Sequence, residues 1–283
     1  MVTTLIQNTF DTARMVAFYR ALESERPAAR FHDPYARLLA GEHGEEIVKS
    51  LPRATTEMWA IVLRTCIYDE LLLRVIEQEQ IDTVLNLAAG LDSRPYRLAL
   101  PASLRWIEVD HANVLSYKEE KLAEVEPKCR LEREALDITD VEARATFLDK
   151  VSGESKNIFV LAEGLLIYLT TDQVISLATN LRRYEAIHWW LTEFVSPLAL
   201  QRDESYWNSF ASESAQTRFA PPGGLAFFRE RGWQVAEFRA PLAEALRLKL
   251  PIRFSWLLRP LMRLTAKYAP EADTTNGGFI LLK

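Results

Sequence analysis

Over the first 78 residues, apolar positions recur at helical spacing. One segment, 12–25, runs to a break at Pro27; Asp33-Pro34 then marks the start of another helix, with Asp33 as its N-cap and the proline in the first turn. A longer segment, 57–79, places Ile61, Val62, Cys66, Leu72, Leu73 and Ile76 on one broad apolar face. From Asp82 the period shortens. Apolar and β-branched runs at 83–87, 105–109, 130–136, 158–162, 189–194, 234–238 and 279–282 read as strands. The first five are separated by segments long enough for crossover helices, among them 112–124 and 172–186. This alternation predicts an α/β fold: a seven-stranded, mostly parallel sheet with helices on both faces. The last two runs have the character of a terminal hairpin, whose direction the pattern leaves open. The chain therefore divides into an N-terminal helical cap (1–78) and a sheet-based core (79–283) that form one compact unit. Segment 196–231 breaks the alternation with Tyr206, Trp207, Phe210, Phe219 and the turn Pro221-Pro222-Gly223-Gly224. An insertion after the fifth strand is expected above the carboxyl ends of the sheet, where ligands bind in open α/β folds.

Composition narrows the class. Hydrophobic residues make up 48% of the 283 and charged residues 26%, values that support a full core and lie far from the disordered regime. The net charge of −5 gives no basic footprint for a nucleic acid. Cys66 and Cys129 stand apart, and His32, His43, His111 and His188 show no ligand spacing, so neither a disulfide scaffold nor a metal site is expected. No apolar run approaches the roughly 20 residues of a membrane span, and the N-terminus lacks the pattern of a signal peptide. A cytoplasmic protein that does not engage a membrane is expected.

Candidate chemistry lies at the strand ends. The run Val84-Leu85-Asn86-Leu87 leads into Ala88, Ala89 and Gly90, small residues that let the backbone approach a ligand where a strand turns towards a helix. Asp110 ends the second strand 20 residues after Gly90, the separation of a carboxylate that accepts hydrogen bonds from both hydroxyls of an adenosine ribose. After the third strand, Asp137 is suited to receive an adenine amino group while Ile138 flanks the ring. After the fourth, Glu163 is placed to hold an ammonium or offset positive charge. The run from Ala88 to Ser93 holds one glycine and adds Asp92, which would repel a pyrophosphate. S-adenosylmethionine has no phosphate and carries a sulfonium, and it suits these residues better than a dinucleotide does.

Several segments, in order, carry a resemblance to a known family: Thr12-Ala13, Tyr19-Arg20-Ala21-Leu22-Glu23, Phe31-His32-Asp33-Pro34-Tyr35-Ala36, Arg64-Thr65, 87–98, Glu108-Val109-Asp110 and 162–169. Together they resemble the leucine carboxyl methyltransferase-like family, particularly its bacterial branch of polyketide carboxyl O-methyltransferases. The resemblance implies a class I methyltransferase, Rossmann-like fold and S-adenosylmethionine as cofactor, with S-adenosylhomocysteine as product. It implies that Arg64 binds the methionine carboxylate of the donor through a planar fork, that Ala88, Ala89 and Gly90 lie beside the methionine portion, and that Asp110 binds the ribose. Asp137 and Ile138 would contact adenine, and Glu163 would lie near the donor amine. The family turn usually begins with glycine, and here it begins with Ala88. Arg20 is a weaker candidate for the donor carboxylate; Arg94 and Arg97 are expected to anchor the N-terminal helices.

The expected reaction is O-methyl transfer by in-line displacement to a carboxylate or hydroxyl of a small, largely apolar or aromatic molecule. The insertion's aromatics would roof the pocket. A carboxylate acceptor needs no general base, so no catalytic side chain is assigned; for a hydroxyl acceptor, Tyr168 and His111 are the candidates. A protein C-terminus is a less favoured acceptor. The alternatives are an NAD(P)-dependent oxidoreductase, which would need a fuller glycine fingerprint, and a non-catalytic S-adenosylmethionine-binding protein of the same fold.

Overall fold

A computed structural model describes residues 5–212, 215–221, 223–251 and 277–283, and for 203–208 the backbone alone. Three helices lead the chain: α1 (Thr9–Ser24), α2 (Ala36–Ser50) and α3 (Ala54–Gln78). The strands are β1 (Thr83–Leu87), β2 (Arg105–Asp110), β3 (Arg130–Ala135), β4 (Ile158–Ala162), β5 (Ile187–Val195), β6 (Val235–Arg239) and β7 (Gly277–Leu282). Between them lie α4 (Arg94–Arg97), α5 (Ala112–Lys121), α6 (Val141–Glu154), α7 (Thr171–Arg182), α8 (Pro197–Asn208), α9 (Leu225–Arg229) and α10 (Pro241–Arg247).

All seven strands join one sheet in the order β3-β2-β1-β4-β5-β7-β6. The first five run parallel. β7 is antiparallel to both neighbours, slotting between β5 and β6, which settles the direction of the terminal pair. The strand order reverses between β1 and β4, and the carboxyl ends there open the crevice in which such sheets take ligands.

Helices on both sides explain the near-continuous apolar runs. Every residue of β1 and of β4 is buried. Leu85, Ile107 and Val160 face one layer, packed by Phe147 and Leu148 of α6 and Leu177 and Leu181 of α7. Val84, Trp106, Phe159 and Leu161 face the other, covered by Leu71, Leu72 and Val75 of α3. Local signals start the covering helices. Asp140 accepts from the amides of Glu142 and Ala143 ahead of α6, and Thr170 and Gln173 form a reciprocal capping box on α7. No helix among the described residues is long and apolar enough to cross a membrane.

Two local expectations are corrected. The helix after Pro34 begins at Ala36, and Asp33 does not act as a simple cap. Asp33 is buried; one oxygen accepts from the Tyr35 amide, while the other accepts from Arg20 Nε at 2.8 Å and Ser93 Oγ at 2.6 Å. A tertiary ion pair outcompetes capping because a buried carboxylate needs a charged partner. The insertion's aromatics also part company. Phe219 is wholly buried in the core beneath the crevice, edge-on to Phe227, and Phe210 packs against the α1–α2 cluster. The side chains of Tyr206 and Trp207, and Pro222, lie outside the described residues.

Candidate functional site

β1 delivers the chain into Ala88-Ala89-Gly90, and both ends of this turn are left-handed: Ala88 at φ 52° and Gly90 at φ 49°. A side chain on Gly90 would be strained by that conformation, and its Cβ would meet Ala13 of α1 at 3.4 Å. The Gly90 amide donates to Asp110 Oδ2 at 2.7 Å, and the His111 amide donates to Oδ1 at 2.7 Å. The turn after β1 and the acid ending β2 are thereby locked together, and each oxygen of Asp110 keeps capacity for a further donor. Asp137, after β3, accepts from the amide and the hydroxyl of Thr139. Burial pushes its carboxyl up, but these two bonds outweigh burial and hold it below the usual value.

The centre of the crevice is ionic. Glu163, just past β4, accepts from Arg64 Nε at 2.8 Å through one oxygen and pairs with Arg94 Nη1 at 2.7 Å through the other. Burial opposes its ionisation, but Arg94 and Arg64 prevail, so the carboxyl stays below its ordinary value. Arg94 also pairs with Asp69 of α3 and with Asp92, whose carboxyl is held at about 2 because Arg94 and Lys118 overcome the effect of burial. Arg97 grips Asp69 with two nitrogens, at 2.7 and 2.8 Å. Arg94 and Arg97 thus tie α4 to α3, as expected. Arg20 lines the crevice as well, engaged with Asp33 and, at 2.6 Å, with the Leu91 carbonyl.

Glu193, near the end of β5, was not anticipated. Its Oε1 accepts from the Gly164 amide at 2.6 Å and lies 3.8 Å from Arg64 Nη1, while Oε2 is buried without a hydrogen-bond partner. Burial raises its carboxyl to about 7 against the opposing pull of Arg64 and the Gly164 amide. An acid close to a strand's carboxyl end is the same signal that marks Asp110 and Glu163, so this residue was within reach of the sequence.

Arg64, Asp92, Arg94, Asp110, Asp137 and Glu163 border a cavity of about 410 Å³, a volume within the range of small-molecule pockets, with Glu193 set behind its lining. All eight sequence candidates line it: Arg64, Ala88, Ala89, Gly90, Asp110, Asp137, Ile138 and Glu163. His111 and Tyr168 line it too. Tyr168 hydrogen-bonds to Thr12, and its phenol is raised by burial despite Thr12 and Arg64. An apolar stretch of wall is built from Ile6, Phe10, Val16, Ile61, Ile167, Leu169, Ala211 and Ala215, with Thr9, Glu57 and Thr217 as polar members of the lining. Among the described residues, neither Phe210 nor Phe219 lines the wall, and the insertion contributes Ala211, Ala215 and Thr217 to it. It is stitched to the N-terminus by Ile6 N to the Phe210 carbonyl at 3.1 Å and Ser212 N to the Ile6 carbonyl at 2.8 Å.

A model of the leucine carboxyl methyltransferase family matches residues 13–182. A provisionally named S-adenosyl-L-methionine-dependent methyltransferase from Mycobacterium marinum is 32% identical over 227 residues, which cover 74% of this chain and 73% of that protein. A second protein with that provisional name, from Parafrankia sp., is 35% identical over 185 residues, 62% of this chain. That match spans 59% of the Parafrankia protein, less than two thirds of its length. Among solved structures, a DUF574 family protein from Streptomyces avermitilis superposes with a TM-score of 0.59 over 100% of this chain and 99% of its own, at 11% identity. A provisionally assigned methyltransferase from Thermobifida fusca gives 0.59 over 100% and 96%, at 14% identity. At such identities the two structures establish the fold alone.

Proposed function

Because the chain belongs to the leucine carboxyl methyltransferase family, a family of S-adenosylmethionine-dependent methyltransferases, we propose that it is an O-methyltransferase acting on a carboxylate or hydroxyl of a small, largely apolar or aromatic molecule. The observation that carries this reading is a cavity that joins a polar region matched to the methyl donor to an apolar stretch of wall around Ile6, Phe10, Ile61 and Ile167.

The polar region fits the donor group by group. Asp110 and Asp137 offer acceptors to ribose hydroxyls and to an adenine amino group, and Ile138 supplies an apolar surface beside the ring. Glu163 and Arg64 pair with each other at 2.8 Å. A ligand bearing both an ammonium and a carboxylate would substitute for each partner charge for charge, so neither ion is left buried and alone. Asp92, anionic beside the turn, disfavours a pyrophosphate and with it the oxidoreductase alternative.

When bound, S-adenosylmethionine supplies an electrophilic methyl group, and its transfer to an acceptor oxygen neutralises charge. The protein contributes alignment and exclusion of water. Ile61, Ile167 and Ala211 present a dry wall to the acceptor, and orienting two reactants can contribute about 7–11 kcal/mol. A carboxylate acceptor is ionised already and asks for no proton transfer. For a hydroxyl acceptor, Tyr168 is a poor base with its raised phenol, which leaves His111 as the candidate base at the cavity wall.

The test is transfer of an isotope-labelled methyl group to a panel of aryl and alkyl carboxylic acids, phenols and a peptide with a free C-terminus. Base-labile methyl esters of the small acids are the expected products. Methylation confined to amines or to the peptide would overturn the proposal.

A further inference from the structure

Arg144 lies on the first turn of α6, 1% exposed, outside the cavity. Among the described residues it forms no salt bridge, and burial pushes its guanidinium below the ordinary arginine value in spite of Asp140 and Tyr184. Its donors go to three neutral oxygens. Nη1 donates to the Ile138 carbonyl at 2.7 Å, Nε to Asn180 Oδ1 at 3.0 Å and Nη2 to Ser176 Oγ at 2.7 Å. Ser176 and Asn180 stand one turn apart on α7, so the rigid guanidinium fork connects two core helices to one carbonyl of the loop after β3.

An arginine buried without a carboxylate is costly, and stapling two apolar helices does not require one. What the fork does that a hydrophobic residue cannot is fix the Ile138 carbonyl. Ile138 is 8% exposed and borders the cavity; next to it, the Asp137 carboxylate accepts from the Thr139 amide and hydroxyl, and the Asp137 carbonyl accepts from the Asp140 amide at 3.0 Å. Within this turn Thr139 and the Asp140 amide hold Asp137, while the Ile138 carbonyl is held by the Arg144 side chain, and both Asp137 and Ile138 line the cavity.

We propose that Arg144 is a positioning residue for the adenine end of the donor site, acting through the Ile138 carbonyl to hold Asp137 and Ile138 in their binding arrangement. This rests on the reading of the cavity as an S-adenosylmethionine site.

The experiment is calorimetric titration of S-adenosylhomocysteine into wild type, Arg144→Met, Arg144→Lys and Ser176→Ala, with thermal unfolding and amide hydrogen exchange over 136–140 measured on each. Loss of a charge-assisted hydrogen bond that orders the loop should weaken binding about tenfold or more in Arg144→Met. Exchange at 136–140 should accelerate, and Arg144→Lys, which can still reach the carbonyl, should recover part of the affinity. Ser176→Ala removes a helix contact but not the carbonyl contact, so it should lower Tm and leave the Kd within about twofold. If Arg144→Met does not fold, the comparison of Arg144→Lys with Ser176→Ala carries the test. Unchanged affinity in a folded Arg144→Met, or equal weakening in Ser176→Ala, would overturn the proposal. Failure of the wild type to bind S-adenosylhomocysteine would instead overturn the reading of the cavity.

Discussion

Replacing Glu193 by glutamine should make the protein more stable at alkaline pH. Glu193 gives one oxygen to the Gly164 amide and leaves the other buried and unpartnered, and its carboxyl is raised from 4.5 to about 7. In the unfolded chain the same group ionises near 4.5, so above that pH the folded state must either retain a proton or bury a charge. A raised carboxyl pKa contributes stability that is fully present below the unfolded value and is lost as pH climbs through the folded one. Here the loss runs between about pH 4.5 and 7 and then levels off. A rise of this size corresponds to about 3 kcal/mol, an upper figure because 18% of the side chain still meets solvent. Glutamine keeps the acceptor for Gly164 and removes the charge. Urea unfolding of both proteins at pH 5 and pH 8.5 should show the variant's advantage growing by about 2 kcal/mol, with unchanged denaturant slopes. In thermal scans, this is a relative shift of about 4–8 °C. A gap that stays constant within about 0.5 kcal/mol, or that grows in favour of the wild type, would show that Glu193 is ionised cheaply and that Arg64 compensates it.

Ala88→Gly should be neutral to stabilising, by up to about 1 kcal/mol in denaturant unfolding, because relief at φ 52° exceeds the added freedom of the unfolded chain; a loss of that size would mean the methyl group packs productively. Arg94→Met should cost about 3–5 kcal/mol in the same assay, since Asp69, Asp92 and Glu163 would lose their shared cation; a cost below about 1 kcal/mol would show that solvent already screens the cluster.

Much of this arrangement was readable in the chain. β1 and β4 are buried on both faces, so they appear as largely apolar runs with sharp ends, β1 interrupted only by Asn86, and those ends are where Ala88 and Glu163 emerge. The parallel topology then brings Asp110 and Asp137 to the same side without further information. What stayed hidden depends on tertiary partners. Asp33 reads locally as a cap, and only the approach of Arg20 and Ser93, the latter 60 residues away, turns it into a buried ion. Phe219 sits among turn residues that suggest an exposed roof, yet the chain dips back so that the Phe219 amide reaches the Ile167 carbonyl and its ring enters the core. Aromatic content alone does not distinguish a lining residue from a core residue. The role of Arg144 depends on which carbonyl its fork meets, and helical periodicity is silent on that.

In the proposed function, the crevice at the ends of β1 to β4 binds S-adenosylmethionine. That binding is tested most directly by calorimetric titration of S-adenosylmethionine and S-adenosylhomocysteine into wild type and Asp110→Ala. Both ligands should bind wild type at one site, and the variant should lose about 10- to 100-fold in affinity, the worth of hydrogen bonds to a charged acceptor. Absence of heat with folded wild type, or undiminished binding to a folded Asp110→Ala, would contradict the proposed function.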